Sequence, residues 1–315
     1  MLRRLAVLMD PIEKLKIYKD STFAMLLEAQ RRGIEVHVVE QADLGLENGR
    51  AWMRGRRTRV RDDVDGWFEQ DPPVREYADA FDCILLRKDP PFDAEYLYDT
   101  QILERAEAAG VLVVNRPQAL RDANEKLFTA LFPQCCPPTL VARKADDLRA
   151  FAREYGECVI KVLDAMGGAS IFRIRPQDPN LNVILETITL EGTRSGLIQQ
   201  YIPDIIHGDK RILLIDGEPV PYALARIPRE GEFRGNLARG GSGRGQALSD
   251  HDRWICAEVA PELKRRGLIF VGLDVIGDYL TEVNVTSPTC IRELDAQFKL
   301  NIAGTLFDRL EALRG

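Results

Sequence analysis

IFVGLDVIGDYLTEVNVTSP, residues 269–288, sets three oxygen-bearing side chains, Asp274, Glu282 and Asn284, into two apolar runs joined at Gly277-Asp278. Their alternation with Leu273, Val275, Val283 and Val285 reads as a β-hairpin. The two-residue period puts Glu282 and Asn284 on one face of its second strand. Carboxylate and amide oxygens with no soft donor among them suit a hard cation such as Mg²⁺. A strict two-residue turn, however, pairs Asp274 with Thr281 and leaves it out of phase with Glu282. A cation site therefore requires a bulge or a three-residue loop. The same alternation equally describes a half-exposed hairpin whose polar face meets water.

Upstream, ECVIKVLDAMGGASIFRI (157–174) reads as a second hairpin, with Lys161 on its first strand and Gly167-Gly168 in its turn. Small residues there let backbone N–H groups approach phosphate oxygens, and Lys161 adds a point charge. It is not a P-loop, because GxxxxGK[ST] is absent and the turn joins two strands. An ordinary hairpin with an exposed lysine fits the pattern as well. Between the two hairpins lies RIPREGEFRGNLARGGSGRG (226–245), arginine- and glycine-rich with little to bury. Such a segment either closes over phosphate charge or is a solvated basic connector, and a mobile loop is expected over 227–245. Lys126 is expected on a helix spanning 119–132.

Toward the N-terminus the pattern becomes strand (Leu5–Met9), helix (Ser21 as cap, Gly33 as terminator), strand (34–40), strand (83–86), helix (95–109) and strand (111–115). Residues 41–78 lose periodicity and read as a surface hairpin with an acidic loop. This alternation predicts an α/β unit with a largely parallel sheet, followed by α+β structure. The expected domains are 1–122, 123–202 and 203–315.

Composition narrows the function. Forty-three Lys and Arg against 49 Asp and Glu give a net charge of −6 over 315 residues, which argues against a nucleic-acid partner. Six cysteines without a CxxC pair and three histidines supply no zinc cage. The thiols read as reduced, and Asp10-Pro11 cuts the first apolar run well short of a membrane span, so a cytoplasmic protein without a membrane partner is expected. Cys290 reads as a packed residue, not a nucleophile.

The order Lys126, Lys161 before Gly-Gly, QQYIP, DKR, an arginine-rich loop and then D…E.N resembles the ATP-grasp fold. MDPI (9–12), DSTFAMLLEAQRRG (20–33), RKDPPFD (87–93), NRPQALRDANEKLFTA (115–130), MGGASIFR (166–173), DGEPVPYALARIP (216–228), GLIFVGLD (267–274) and TEVNVTSPTCIRE (281–293) are similar to bacterial glutathione synthetases over nearly the whole chain. Val162 and Ala165 stand where that pattern is expected to have Pro and Gly. The resemblance implies an N-terminal parallel-sheet α/β domain and two α+β subdomains clamping ATP. It also implies an ATP-dependent ligase that joins γ-glutamylcysteine to glycine through an acyl phosphate, with Mg²⁺ or Mn²⁺. It implies that Lys126, Lys161, Gly167, Gly168 and Ser170 meet the phosphates. Gln199, Gln200, Tyr201 and Ile202 would hold adenine, with Asp209 on the ribose side. Asp274, Glu282 and Asn284 would hold the metal, Arg211, Arg226 and Arg234 would stabilise the acyl phosphate, and Asn284, Ser287 and Arg292 would border the substrate. A homotetramer is implied by resemblance alone. Another ATP-grasp carboxylate–amine ligase and a non-catalytic nucleotide-binding module are the alternatives, separated by substrate-dependent ADP release.

Overall fold

The computed structural model describes residues 1–164, 170–232, 234–235 and 241–314. Its first unit contains β1 (Arg4–Leu8), α1 (Ser21–Arg31), β2 (Glu35–Val39), β3 (Leu44–Glu47), β4 (Arg50–Val60), β5 (Phe68–Gln70), β6 (Val74–Tyr77), β7 (Cys83–Leu86), α2 (Ala94–Ala108), β8 (Leu112–Val114) and α3 (Pro117–Asp122). Strand order is β3-β4-β2-β1-β7-β8, with β5 and β6 also paired to β4. The strands β2, β1, β7 and β8 run parallel. Ala6 and Leu8 enter one apolar core, and Leu5 and Val7 the other. Burial on both faces is why this strand reads as an unbroken apolar run.

Two expectations for this unit need correction. Asp20, not Ser21, caps α1, its Oδ1 accepting from Phe23 N at 2.7 Å, while Ser21 Oγ accepts from Ile291 N at 3.1 Å. Residues 41–78 are not mere decoration, because β3 to β6 extend the sheet by antiparallel pairing. The alternation of β4 is masked by its arginines. Ala51, Met53 and Val60 are buried, while Arg54 and Arg56 turn out to Asp43 and Arg59 to Asp71.

The middle unit holds β9 (Thr139–Ala142), α4 (Ala145–Tyr155), β10 (Cys158–Val162), β11 (Ile171–Ile174), α5 (Leu181–Thr189) and β12 (Gly196–Gln200). They form an antiparallel sheet ordered β11-β10-β12-β9 over a core of its own. The sequence reading missed α5, whose β-branched residues have weak helical preference and whose formation follows from burying Leu181, Leu185 and Ile188.

The third unit contains β13 (Asp209–Ile215), β14 (Glu218–Ile227), β15 (Ser242–Ala247), α6 (Asp250–Arg266), β16 (Phe270–Ile276), β17 (Tyr279–Asn284), α7 (Ile291–Phe298) and α8 (Ile302–Arg314). Its sheet is ordered β15-β14-β13-β16-β17. Because β15 pairs with β14, residues 242–245 belong to a strand and not to the expected mobile loop 227–245.

Packing joins the first and third units, which contribute to the same two cores. Asn115 ties them directly. Its Nδ2 donates to the carbonyls of Phe270 (2.8 Å) and Val285 (2.7 Å), and its Oδ1 accepts from the N–H groups of Ile269 (2.7 Å) and Phe270 (2.9 Å). The first unit is thereby held against the sheet that carries Asp274.

Candidate active site

Three residues lie in a row across the third sheet: Arg211 of β13 opposes Asp274 of β16, which opposes Glu282 of β17. The last pairing depends on a register shift after Asp274, where β17 carries Thr281 as an extra residue. This is the bulge that the hairpin needed if Asp274 and Glu282 were to share a face. Gly272 opposes Asn284 two positions on, so Asn284 shares that face too.

Asp274 is enclosed by arginines. Its Oδ1 accepts from Arg211 Nε at 2.5 Å, and its Oδ2 from Arg211 Nη2 at 3.0 Å and Arg226 Nη2 at 2.8 Å. Burial opposes ionisation, but the two guanidinium groups outweigh it and hold the Asp274 carboxyl well below the usual range. Arg226 also pairs with Asp209. Asp209, implied on the ribose side by resemblance, thus lies against Arg226, with Oδ1 buried and unpartnered. Burial pushes its carboxyl up to about 7, against the pull of Arg226.

Glu282 faces the lysines. Lys161 Nζ is 3.5 Å and Lys126 Nζ 3.8 Å from its Oε1. Burial raises the Glu282 pKa, yet the two ammonium charges leave it below the usual range. Lys126 is not on the helix expected over 119–132. Instead α3 stops at Asp122, and Asn124 Oδ1 accepts from Lys126 N (3.1 Å) and Leu127 N (3.0 Å), redirecting the chain into a 3₁₀ turn at Leu127–Leu131. This turn brings both Lys126 and Glu125 to β17. Glu125 Oε1 accepts from Val285 N (2.9 Å), Thr286 N (3.1 Å) and Thr286 Oγ1 (2.8 Å).

These groups open on a cleft of about 550 Å³. Its other wall comes from the first unit: Lys14, Lys16 and Lys19 follow β1, and Lys88 and Asp89 follow β7. Ligands of open α/β sheets bind outside the carboxyl ends of the strands, where these lysines sit. The sequence reading assigns none of Lys14, Lys16, Lys19, Lys88, Glu125 and Thr286 to a site. Their positions just after apolar parallel strands were the available signal.

The structure therefore gathers Lys126, Lys161, Arg211, Arg226, Asp274, Glu282 and Asn284 together, with Ser287 on the cleft wall. Gln199 and Tyr201 sit at the end of β12. The Gln199 amide donates to Thr139 Oγ1 at 2.9 Å, and the Tyr201 ring lies under the Arg173 guanidinium. Gln200 pairs with Cys158 in the middle sheet, and Ile202 is buried. Ser170 is exposed with φ of 53°. Arg234 bonds Glu232. Arg292 pairs with Asp62 at 2.9 Å beside the Phe23 ring, and it is not among the residues lining the cleft. Gly167 and Gly168 lie outside the described residues.

The donor chemistry fits a hard cation. Among the described residues, Glu282 Oε2 and Asn284 Oδ1 accept no hydrogen bond, while Asn284 Nδ2 donates to the Gly272 carbonyl at 3.2 Å. No cluster of three His, Cys, Asp or Glu side chains forms among the described residues. An ion here would draw the rest of its ligands from phosphate and water, as Mg²⁺ commonly does. Burial raises the thiols, Cys83 and Cys256 to about 12 and Cys136 to about 11, which leaves them protonated and inert.

Residues 3–121 match the model of the prokaryotic glutathione synthetase N-terminal domain, and residues 125–299 that of the prokaryotic glutathione synthetase ATP-grasp domain. The chain belongs to the prokaryotic glutathione synthetase family. It is 62% identical to the glutathione synthetase of Xanthomonas campestris pv. campestris, covering 97% of each chain. Identity to the glutathione synthetase of Pseudomonas syringae pv. tomato is 58%, over 98% of this chain and 97% of the relative. Among solved structures, D-cycloserine synthetase DcsG superposes with a TM-score of 0.68 at 17% identity, over 97% of this chain and 99% of that one, which shows a shared fold. The expected ATP-grasp architecture and ATP-dependent ligase activity of the glutathione synthetase family are thus met. No helix among the described residues is long and apolar enough to cross a membrane.

Proposed function

We propose that this chain condenses γ-glutamylcysteine with glycine, consuming ATP and passing through an acyl phosphate. The observation that carries the reading is the cleft in which Arg211 and Arg226 converge on Asp274 while Lys126 and Lys161 converge on Glu282. A carboxylate is a poor electrophile until one of its oxygens becomes a leaving group. Phosphorylation achieves this, but it demands that two anions approach each other. Four buried cations lower that barrier by stabilising charge as it develops.

In this reading Lys126 and Lys161 hold the nucleotide phosphates, Gly167, Gly168 and Ser170 are assigned to the same phosphates, and residues Gln199 to Ile202 to adenine. Asp274, Glu282 and Asn284 would hold Mg²⁺, which when bound supplies charge neutralisation at the phosphates. Arg211 and Arg226 meet the acyl phosphate oxygens, and Asp209 steadies Arg226 from behind. Arg234 is assigned to the same oxygens. Ser287 and Asn284 border the acid substrate. Arg292 acts at the edge of that pocket if its pair with Asp62 opens. With domain boundaries near 122 and 202, the middle unit would be the part that closes on ATP. The enzyme works in the cytoplasm as a homo-oligomer.

A coupled ADP-release assay tests this, with γ-glutamylcysteine and glycine each omitted in turn. ADP release that requires both, with one glutathione formed per ADP, is expected. Turnover with a different acid or amine, and none with this pair, overturns the substrate assignment.

A further inference from the structure

Glu125 has no part in the scheme above, yet it lines the reaction cleft. Its two carboxylate oxygens differ. Oε1 accepts three hydrogen bonds from Val285 and Thr286 at the end of β17. Oε2 accepts none among the described residues. Three donors on one oxygen fix the plane of the carboxylate, so Oε2 is presented at one place in the cleft instead of swinging through it. That place is beside the chemistry, since Lys126 follows directly in the chain and Thr286 lies two residues past Asn284.

The neighbouring groups narrow what Oε2 can bind. Lys126, Arg211, Arg226 and the Ser287 hydroxyl present donors, which suit phosphate and carboxylate oxygens and disfavour an ammonium group. Asp274 and Glu282 are matched by the arginines and lysines. With Glu282 Oε2 and Asn284 Oδ1 assigned to the metal ion, Glu125 is left as the acceptor beside them, while Asp10, Asp20, Asp89 and Glu293 also line the cleft. We propose that Glu125 Oε2 docks the amine of the acceptor substrate. The ammonium donates an N–H to Oε2 as it binds; once it has given one proton to solvent water, a remaining N–H keeps the contact and the lone pair faces the acyl carbon, whose bond to the phosphate oxygen breaks as the C–N bond forms and phosphate leaves. The inference rests on the ligase reading above.

The test uses the full-length enzyme and Glu125→Gln. The amide oxygen can still accept from Val285 and Thr286, but an NH₂ replaces Oε2 and cannot receive an N–H. The KM for glycine is expected to rise at least about 30-fold, the loss of one charge-assisted hydrogen bond. The KM for γ-glutamylcysteine and the glycine-free positional isotope exchange of ATP should stay within about twofold. Hydroxylamine, which is uncharged at neutral pH, should still trap the acyl group at close to the wild-type rate. A rise in the KM for γ-glutamylcysteine instead would assign Glu125 to the ammonium of the acid substrate and overturn the proposal. Loss of isotope exchange together with glycine turnover would show that Glu125 merely holds β17. An equal glycine effect in Thr286→Val, which removes one clamp donor and keeps Oε2, would show the same. Unchanged kinetics in Glu125→Gln would also overturn it. If the wild-type enzyme itself shows no exchange dependent on γ-glutamylcysteine, the ligase reading fails first, and this one with it.

Discussion

Asp274 and Glu282 face each other across β16 and β17 because Thr281 is an extra residue in β17. In a regular ladder Glu282 would oppose Leu273 and point into the apolar core beneath α6. The bulge instead delivers a second carboxylate to the polar face, where the cations wait. Glu282→Gln keeps the shape and removes the charge that Lys126 and Lys161 balance. Its kcat/KM should fall by a factor of about 10² to 10³, with an unchanged melting temperature and a weaker dependence on divalent metal. Steady-state kinetics over a Mg²⁺ titration check this, and near-normal rates would remove Glu282 from the site.

Asn115 satisfies four backbone groups at once, those of Ile269 and Phe270 where β16 begins and of Val285 just past β17. Asn115→Leu keeps the bulk and strands all four in a buried setting. Stability should drop by at least about 3 kcal/mol, measured by urea unfolding. A loss under about 1 kcal/mol would mean that water replaces the amide.

Gly235 packs against the Arg226 carbonyl, and a Cβ built there would overlap that oxygen. Gly235→Ala should displace the end of β14 and misalign the Arg226 guanidinium. A fall in kcat of about tenfold or more is expected, with a stability change of only about 1 to 2 kcal/mol. Single-turnover kinetics and thermal melts together distinguish this from general unfolding.

Glu28 accepts from Arg31 and Arg32 at 2.7 Å, and Arg32 reaches on to Asp308 of α8. The Arg31 hydrogen bond, opposed by burial and aided by Arg32, lowers the Glu28 carboxyl to about 2. A depressed folded-state pKa contributes stability that is fully present above the unfolded value near 4.5 and is lost as pH falls toward 2. Glu28→Gln should therefore cost about 2 kcal/mol at pH 7, a gap that narrows between pH 4.5 and 2. Denaturant melts of both proteins across that range give the answer; a pH-independent gap would place the effect in packing.

The family motifs were legible because they are local. RKDPPFD, the D…E.N pattern and Lys161 before its glycine turn each lie within one element or its adjoining turn, and the alternation of Leu273, Val275, Val283 and Val285 marked the hairpin. Elements whose stability comes from distant partners were harder to see. The helix α5 forms against the middle core, and β4 falls in the stretch read as a surface hairpin and acidic loop until its arginines are matched with Asp43 and Asp71.

By itself the sequence determined the α/β beginning, the two later hairpins, and the set of lysines, arginines and oxygen donors from which a nucleotide-dependent ligase is built. These follow from periodicity and residue chemistry, which act over a few positions. Only the tertiary structure decided that Thr281 bulges, that the chain turns at Asn124 instead of continuing a helix, and that Asp209 backs Arg226. It also decided that the lysines after β1 and β7 face the third sheet across one cleft. Each of these depends on pairing register or on hydrogen bonds between residues far apart in the chain. Local preference does not specify such contacts, because the free energy that selects them comes from burying both partners together.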